Sequence, residues 1–456
     1  MVDATAPANS HMTSFLHRRV SAPPTVALRG EGVYLFDTAG KRYLDASGGA
    51  AVACLGHSHP AVIEAVIAQL RTLPSVHTSF FTTQPCEELA DFLVERAPRG
   101  ISHFVAVSDG SVAVETALKL VRQYWLECGQ PQRRYVISRR QSYHGNTLGA
   151  LSVSGNEQRR VPYAPLLNSA VTHIDPCFAY RHQRPDETLA EYGVRAANLL
   201  EEEIVRLGPE NVGAFFAETV VGATAGCVEA APHYFRRVRE ICNQYDVLLV
   251  LDEIMCGMGR TGTLFACEQE DVIPDLITVA KGLGGGYQPI AGVLLSQPVH
   301  DAIARGSKVL ANGHTYMGHA AACAAALAVQ KTIEKEDLLA RVRTLGSSFG
   351  NKLRSAFASH SHVGDIRGRG LFWAIELVAD RETKATFDPA ARLSHHIKEA
   401  AQAAGMLCYP ASGTADGERG DHILFAPPYI ITDNQLDDVV SVAADALDFA
   451  LEHVRT

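Results

Sequence analysis

Two side chains carry most of the chemistry this sequence offers. They are an acid, Asp252, and a lysine, Lys281, each set directly after an apolar run with the composition of a buried strand. Residues 247–251 lead into Asp252 and Glu253, and residues 276–280 lead into Lys281 and the glycine-rich stretch 282–286. Burying either charge is costly unless an opposite charge or a hydrogen bond meets it. A lysine leaving a buried strand is often a nucleophile, because desolvation favours its neutral amine. The glycines allow backbone or ligand to come close. An acid and a lysine on neighbouring strand ends point to a cofactor held between them, although Asp252 alone also suits a helix cap or a Mg²⁺ ligand.

Two further strand ends add to this pair. Residues 103–107 are followed by Ser108, Asp109, Gly110 and Ser111, then by a helical run over 112–125 with Glu115 and Lys119 four apart. A Gly-Ser turn opening a helix presents N–H groups and a hydroxyl to an anion such as a phosphate. The same four residues also make an ordinary helix cap. Residues 134–137 lead to Tyr143, His144 and Gly145. That tyrosine can cover a flat ring by stacking, or the Tyr-His pair can serve packing alone.

The elements that must position these groups follow from the chain's rhythm. Short apolar runs at 103–107, 134–137, 214–217, 247–251, 276–279 and 290–295 alternate with helical stretches such as 61–70 and 87–95. Strands separated by helices imply crossover connections and a mostly parallel sheet, with its functional edge at the strands' C-terminal ends. Before residue 60 the chain reads as short strands and turns. After the alanine-rich stretch 320–328 it reads as helix, a glycine-rich strand pair over 364–378, then helix and strand again. The expected fold class is α/β, with a large domain over 61–329 and a smaller α+β domain over 330–456 that packs with an N-terminal segment, 13–60. Residues 1–12 read as a tag or disordered leader, with Ser10-His11-Met12 resembling a cloning scar.

Composition bounds the function. The 456 residues carry 41 Lys+Arg against 50 Asp+Glu, a formal charge of −9, with 47% hydrophobic and 20% charged residues. That is ordinary for a chain with a large core and excludes intrinsic disorder. The acidic balance argues against a nucleic-acid backbone or an anionic membrane as the main partner. No apolar run approaches the ~20 residues of a membrane span, and the N-terminus lacks the pattern of a secretory signal. Ten cysteines without a C-x-x-C pair suggest a reducing cytoplasm rather than a disulfide framework or zinc site. His57 and His59, two apart before a proline, lack further ligands, so no metal is expected.

With those residues on the page, the chain resembles the class III, or ω-aminotransferase, branch of the fold-type I pyridoxal-phosphate enzymes. The likeness runs from residues 30–35 and Gly56-His-Ser-His-Pro60 to Ala426-Pro-Pro428. It includes Asp252–Ile254, Gly259-Arg-Thr-Gly262, Ala280-Lys-Gly282 and residues 314–319. It implies that Lys281 bonds covalently to pyridoxal 5'-phosphate and later moves the substrate's α-proton, while Asp252 pairs with the ring nitrogen and keeps it protonated. It further implies that Gly110 and Ser111 hold the phosphate with Thr315 of a second protomer, that Tyr143 and Ile254 sandwich the ring, and that Glu218 lies near Asp252 and the ring. A homodimer with sites at the interface follows, with further pairing of dimers left open. The implied reaction is ping-pong: an amine or ω-amino acid leaves its nitrogen on the cofactor, and a 2-oxo acid collects it.

The chain departs from that family at telling positions. Relatives often carry an arginine that grips the substrate carboxylate where Leu424 stands, and a glutamate that neutralises this arginine where Ala223 stands. Losing both together is physically consistent, since without the guanidinium there is nothing to switch off. Met255 replaces a frequent glutamine, and Val112 a frequent glutamate. These changes favour pyruvate over 2-oxoglutarate as acceptor, with Arg419, in the polar loop 412–420, as a candidate clamp or else a plain solvated arginine. Two other readings stay open: an aminomutase, racemase or decarboxylase on the same scaffold, and an NAD-binding oxidoreductase suggested by Gly257-Met-Gly-Arg-Thr-Gly262.

Overall fold

The computed structural model describes residues 14–20 and 23–454, so the expected leader at 1–12 lies outside the described residues. The chain opens with the antiparallel strands β1 (Ala27–Glu31), β2 (Tyr34–Asp37) and β3 (Arg42–Asp45). It then builds a seven-stranded sheet from β4 (Ile101–Val107), β5 (Tyr135–Arg139), β6 (Val171–Ile174), β7 (Val212–Glu218), β10 (Leu248–Asp252), β11 (Leu276–Val279) and β12 (Ala291–Ser296). Between β7 and β10 lies a two-stranded hairpin, β8 (Val220–Val221) and β9 (Val228–Glu229).

The order across the large sheet is β4-β12-β11-β10-β7-β5-β6, and β12 alone runs antiparallel to its neighbours. The central strands are buried along their whole length, with apolar residues in unbroken runs, as a sheet covered on both faces requires. Phe215 and Phe216 point into separate cores on opposite faces. Each such burial stabilises the fold by about 1.5–3 kcal/mol. The helix Gly110–Glu127 buries Ala113, Val114, Ala117, Leu120 and Val121, the three-to-four spacing of a helix packed against a sheet.

All six strands expected from the sequence exist, and the sheet is mostly parallel as expected. The seventh strand, β6, lies outside those six runs. It is a short edge strand, Val-Thr-His-Ile, whose mixed polarity resembles a loop.

Beyond the helix Ala320–Lys335 the chain forms β13 (Val363–Arg369), β14 (Phe372–Leu377), β16 (Tyr409–Ser412) and β17 (Asp421–Phe425), ordered β13-β14-β17-β16. The short strand β15 (Met406–Leu407) instead joins β3 in parallel. The N-terminal strands are thereby bound to the C-terminal part, and Val33, Leu44 and Leu55 share one core with Trp373, Ile423 and Leu447. No helix among the described residues is long and apolar enough to cross a membrane.

Candidate active site

The parallel strands set the site at their C-terminal ends. Asp252 closes β10 in register with Glu218 at the end of β7 and with Thr278 on β11. Three residues beyond Thr278 stands Lys281. It adopts a left-handed backbone, φ 44°, at a cost of roughly 1–2 kcal/mol for an L-residue. Gln330, buried in the helix Ala320–Lys335, holds the turn after it by donating Nε2 to the carbonyls of Gly282 and Leu283, 2.9 Å each.

These groups face one cavity of about 410 Å³, lined among others by Ser108–Ser111, Tyr143, Glu218, Asp252, Ile254 and Lys281. Burial pulls the Lys281 ammonium down to about 8, with Asp252 and then Glu218 drawing it part of the way back. Burial pushes the Glu218 carboxyl up, opposed by His144 and by bonds from the Gly222 and Tyr143 amides, both 3.0 Å. Asp252 accepts the Ile254 amide on Oδ1 at 3.0 Å and lies 2.7 Å from His144 Nδ1 through Oδ2.

His144, for which the sequence offered packing as one reading, is brought against Asp252 by the fold. Both its ring and Asp252 are buried, and an ionised carboxylate has only acceptors, so Nδ1 carries the proton. The available signal was its place beside Tyr143, but only the fold brings residue 144 to residue 252.

The turn expected to read a phosphate has fewer free donors than expected. Asp109 caps the helix Gly110–Glu127, accepting the Ser111 and Val112 amides at 2.9 and 3.2 Å. Those two donors are thus taken, and the turn offers the Ser111 hydroxyl, which accepts the Asn146 amide at 3.0 Å and keeps its own proton for an anion. Close approach is built in at Gly145, where a Cβ would lie 2.8 Å from Ser111 Oγ, and at Gly110, where it would lie 3.1 Å from Ile254 Cδ1.

Thr315 is exposed and does not line its own chain's cavity. A second cavity of about 320 Å³ joins Ser108 and Gln288–Ile290 to Tyr316 and His319, carrying the opening toward that segment. Arg419 lies outside the main cavity, its side chain 64% exposed and paired with Asp416 at 2.7 Å.

Leu424 and Ala223 do come together, in one apolar cluster with Met255, Phe372 and Tyr409. Arg367 turns away from the cleft: its Nε donates to the Gly226 carbonyl at 2.7 Å, and it pairs with Asp365 and Glu376. The Gly257–Gly262 turn sends Arg260 to the carbonyls of Leu371 and Pro427. His57 and His59 pair with Asp45 and Glu336.

The arrangement fits a phosphorylated, aldehyde-bearing pyridine. It has an amine at the edge of a flat slot, a carboxylate with an acceptor position left for a ring N–H, a tyrosine and an isoleucine to cover the ring, and a hydroxyl turn for the phosphate. Such a site at the switch edge of this sheet defines a fold-type I pyridoxal-phosphate enzyme.

Comparison carries the identification further. The Aminotransferase class-III family matches residues 15–447. An uncharacterized aminotransferase of Schizosaccharomyces pombe is 46% identical over 93% of this chain and 92% of its own. A putrescine–pyruvate aminotransferase of Pseudomonas aeruginosa is 33% identical over 93% and 90%. The crystal structure of an omega transaminase from Pseudomonas jessenii in complex with PMP superposes with a TM-score of 0.91 at 33% identity, covering 97% of both chains. The chain belongs to the class III aminotransferases and is a pyridoxal-phosphate-dependent transaminase acting on small amines and keto compounds.

Proposed function

We propose that this enzyme moves an amino group from an amine or ω-amino acid to a small 2-oxo acid, pyruvate before 2-oxoglutarate, in a ping-pong cycle. The observation that carries the reading is the apolar cluster at the cavity's edge. Leu424 is fully buried there and Ala223 packs against it, where the family resemblance places an arginine and its neutralising glutamate. A bidentate guanidinium–carboxylate fork is a strong, directional contact, and this seam cannot make one for a dicarboxylate. The putrescine–pyruvate relative supports the same acceptor.

When bound, pyridoxal phosphate supplies an aldehyde that takes up the amino group and a ring that accepts electrons released at the substrate's Cα. The protein's own residues do the rest. Lys281, whose pKa burial brings to about 8 so that roughly half of its amine is neutral at that pH, holds the cofactor and then moves the Cα proton through Nζ. Asp252, with His144 behind it, holds a proton at the ring nitrogen. Tyr143 and Ile254 cover the two faces, and Glu218 fixes the Tyr143 backbone at the ring's edge. Gly110 and Ser111 seat the phosphate, completed by Thr315 from a second copy in a homodimer. Arg419 is the sequence's candidate for the acceptor carboxylate.

The proposed division is into 13–60, 61–329 and 330–456, supported by the core that the N-terminal strands share with the C-terminal part, and the cysteine pattern supports a cytoplasmic site of action. The test is a donor screen against both acceptors, measuring alanine and glutamate. Amine-dependent alanine from pyruvate, exceeding glutamate from 2-oxoglutarate, is expected. Faster glutamate formation would refute the acceptor assignment, and donor-independent turnover would point to a mutase, racemase or decarboxylase.

A further inference from the structure

An acceptor such as pyruvate brings a negative charge to a cavity whose described lining holds three carboxylic acids, Asp109, Glu218 and Asp252, and one amine, Lys281. That amine is committed to the cofactor, so a cation for the incoming carboxylate must come from the rim. Two segments beyond the lining bond to each other. Gln141 donates to the Thr414 carbonyl at 2.7 Å and Gln158 to the Glu418 carbonyl at 3.4 Å, which joins the stretch after β5 to the loop carrying Arg419.

Each segment offers an exposed arginine, and their states differ. Arg419 Nε is held by Asp416 at 2.7 Å, so gripping a substrate there would first break an ion pair. Arg159 lies with its guanidinium carbon 4.5 Å from the centre of the Tyr143 ring, the ring that lines the cavity. No carboxylate among the described residues pairs with Arg159, and its helix neighbour Glu157 is already engaged by Arg160 at 3.1 Å. A guanidinium stacked on an aromatic face has its orientation set while the N–H donors along its edge stay free, the form that suits a bidentate carboxylate.

We propose that Arg159 grips the carboxylate of the 2-oxo acid at the mouth of the site, using the Tyr143 ring as its platform. This rests on the transamination of a small 2-oxo acid proposed above and names the residue that selects it. Arg159 is a substrate-binding residue in this account and takes no part in proton transfer.

The test uses holoenzyme variants Arg159→Leu, Arg159→Lys and Arg419→Ala with two readouts. One is the calorimetric affinity for propionate, an unreactive carboxylate. The other is the ratio of kcat/KM for pyruvate to that for propanal, an acceptor without a carboxylate. Arg159→Leu is expected to lower both the affinity and the ratio about ten- to hundredfold, the usual range for losing a charge-assisted bond, with Arg159→Lys in between. Unchanged propionate affinity in Arg159→Leu overturns the proposal, as does an equal loss on both acceptors, which would mean Arg159 acts only by packing Tyr143. A drop confined to Arg419→Ala overturns it in favour of that loop. Should the wild-type enzyme bind propionate through Arg159 yet fail to use pyruvate, the carboxylate assignment stands and the acceptor reading falls.

Discussion

If Lys281 is the cofactor's lysine, as proposed, its free amine sets when the apoprotein can capture the cofactor, and burial moves that point. Burial brings its pKa from 10.5 to about 8, a shift that at 1.36 kcal/mol per unit amounts to roughly 3 kcal/mol against the charged form. At pH 7 about one molecule in ten then carries a neutral amine, against roughly three in ten thousand for an ordinary lysine. The rate of cofactor capture by apoprotein, followed at the bound-cofactor absorbance band, is expected to rise with pH to a midpoint near 8. Asp252→Asn removes the largest of the influences that draw the value up and is expected to shift the midpoint down by about a unit.

The same shift has a signature in stability. A lysine whose folded pKa is lowered imposes its full cost below about pH 8. That cost fades between about 8 and 10.5, where only the unfolded chain still holds the proton, and is absent above. Apoprotein stability should therefore climb through this window, and Lys281→Met should stabilise the apoprotein at pH 7 by at most about 3 kcal/mol, measured by denaturant unfolding. A capture midpoint near 10.5, together with no stabilisation in Lys281→Met, would refute the reasoning.

Three other substitutions probe the site from different sides. His144→Ala breaks a buried pair. It should cost about 3–5 kcal/mol of stability and speed cofactor loss on dialysis, whereas unchanged retention would remove His144 from the account. Gly110→Ala places a methyl 3.1–3.2 Å from Ile254 and should press that side chain into the cavity, weakening cofactor affinity about tenfold with little change in apoprotein melting. Leu424→Arg alone buries an unpaired charge and should lower stability by several kcal/mol. Adding Ala223→Glu should recover part of that loss and introduce 2-oxoglutarate use, read as glutamate formed.

What was legible in the sequence, and what was not, divides by the range of the interaction. Asp252 and Lys281 announce themselves because each ends a continuous apolar run, a local pattern with a local physical meaning. The alternation of such runs with helices likewise forecast a mostly parallel sheet. It could not forecast that β12 runs antiparallel, because a buried strand has the same composition in either direction. Nor could it show His144 against Asp252, 108 residues apart, or the guanidinium of Arg159 lying over Tyr143. The Asp109 cap was legible as a cap, and the turn was expected to read an anion. That the first partly uses up the second emerges only from which amides the carboxylate reaches.

The geometry also separates the chemistry from the choice of substrate. The groups proposed for the reaction sit at or just beyond the ends of buried strands, and Asp252 is pinned by sheet register on both sides. The groups proposed to discriminate substrates sit elsewhere, on the β8–β9 hairpin, on β17 and on the rim. The hairpin's loop is fastened not by its own sheet but by Arg367 reaching from β13 to the Ala225 and Gly226 carbonyls. Arg260 fastens the Leu371 and Pro427 carbonyls. Main-chain carbonyls keep their chemistry whatever side chain they bear, so these two clamps hold the seam in place while residues such as Ala223 and Leu424 vary. Substrate preference can thus change there without disturbing the strand ends that hold the cofactor.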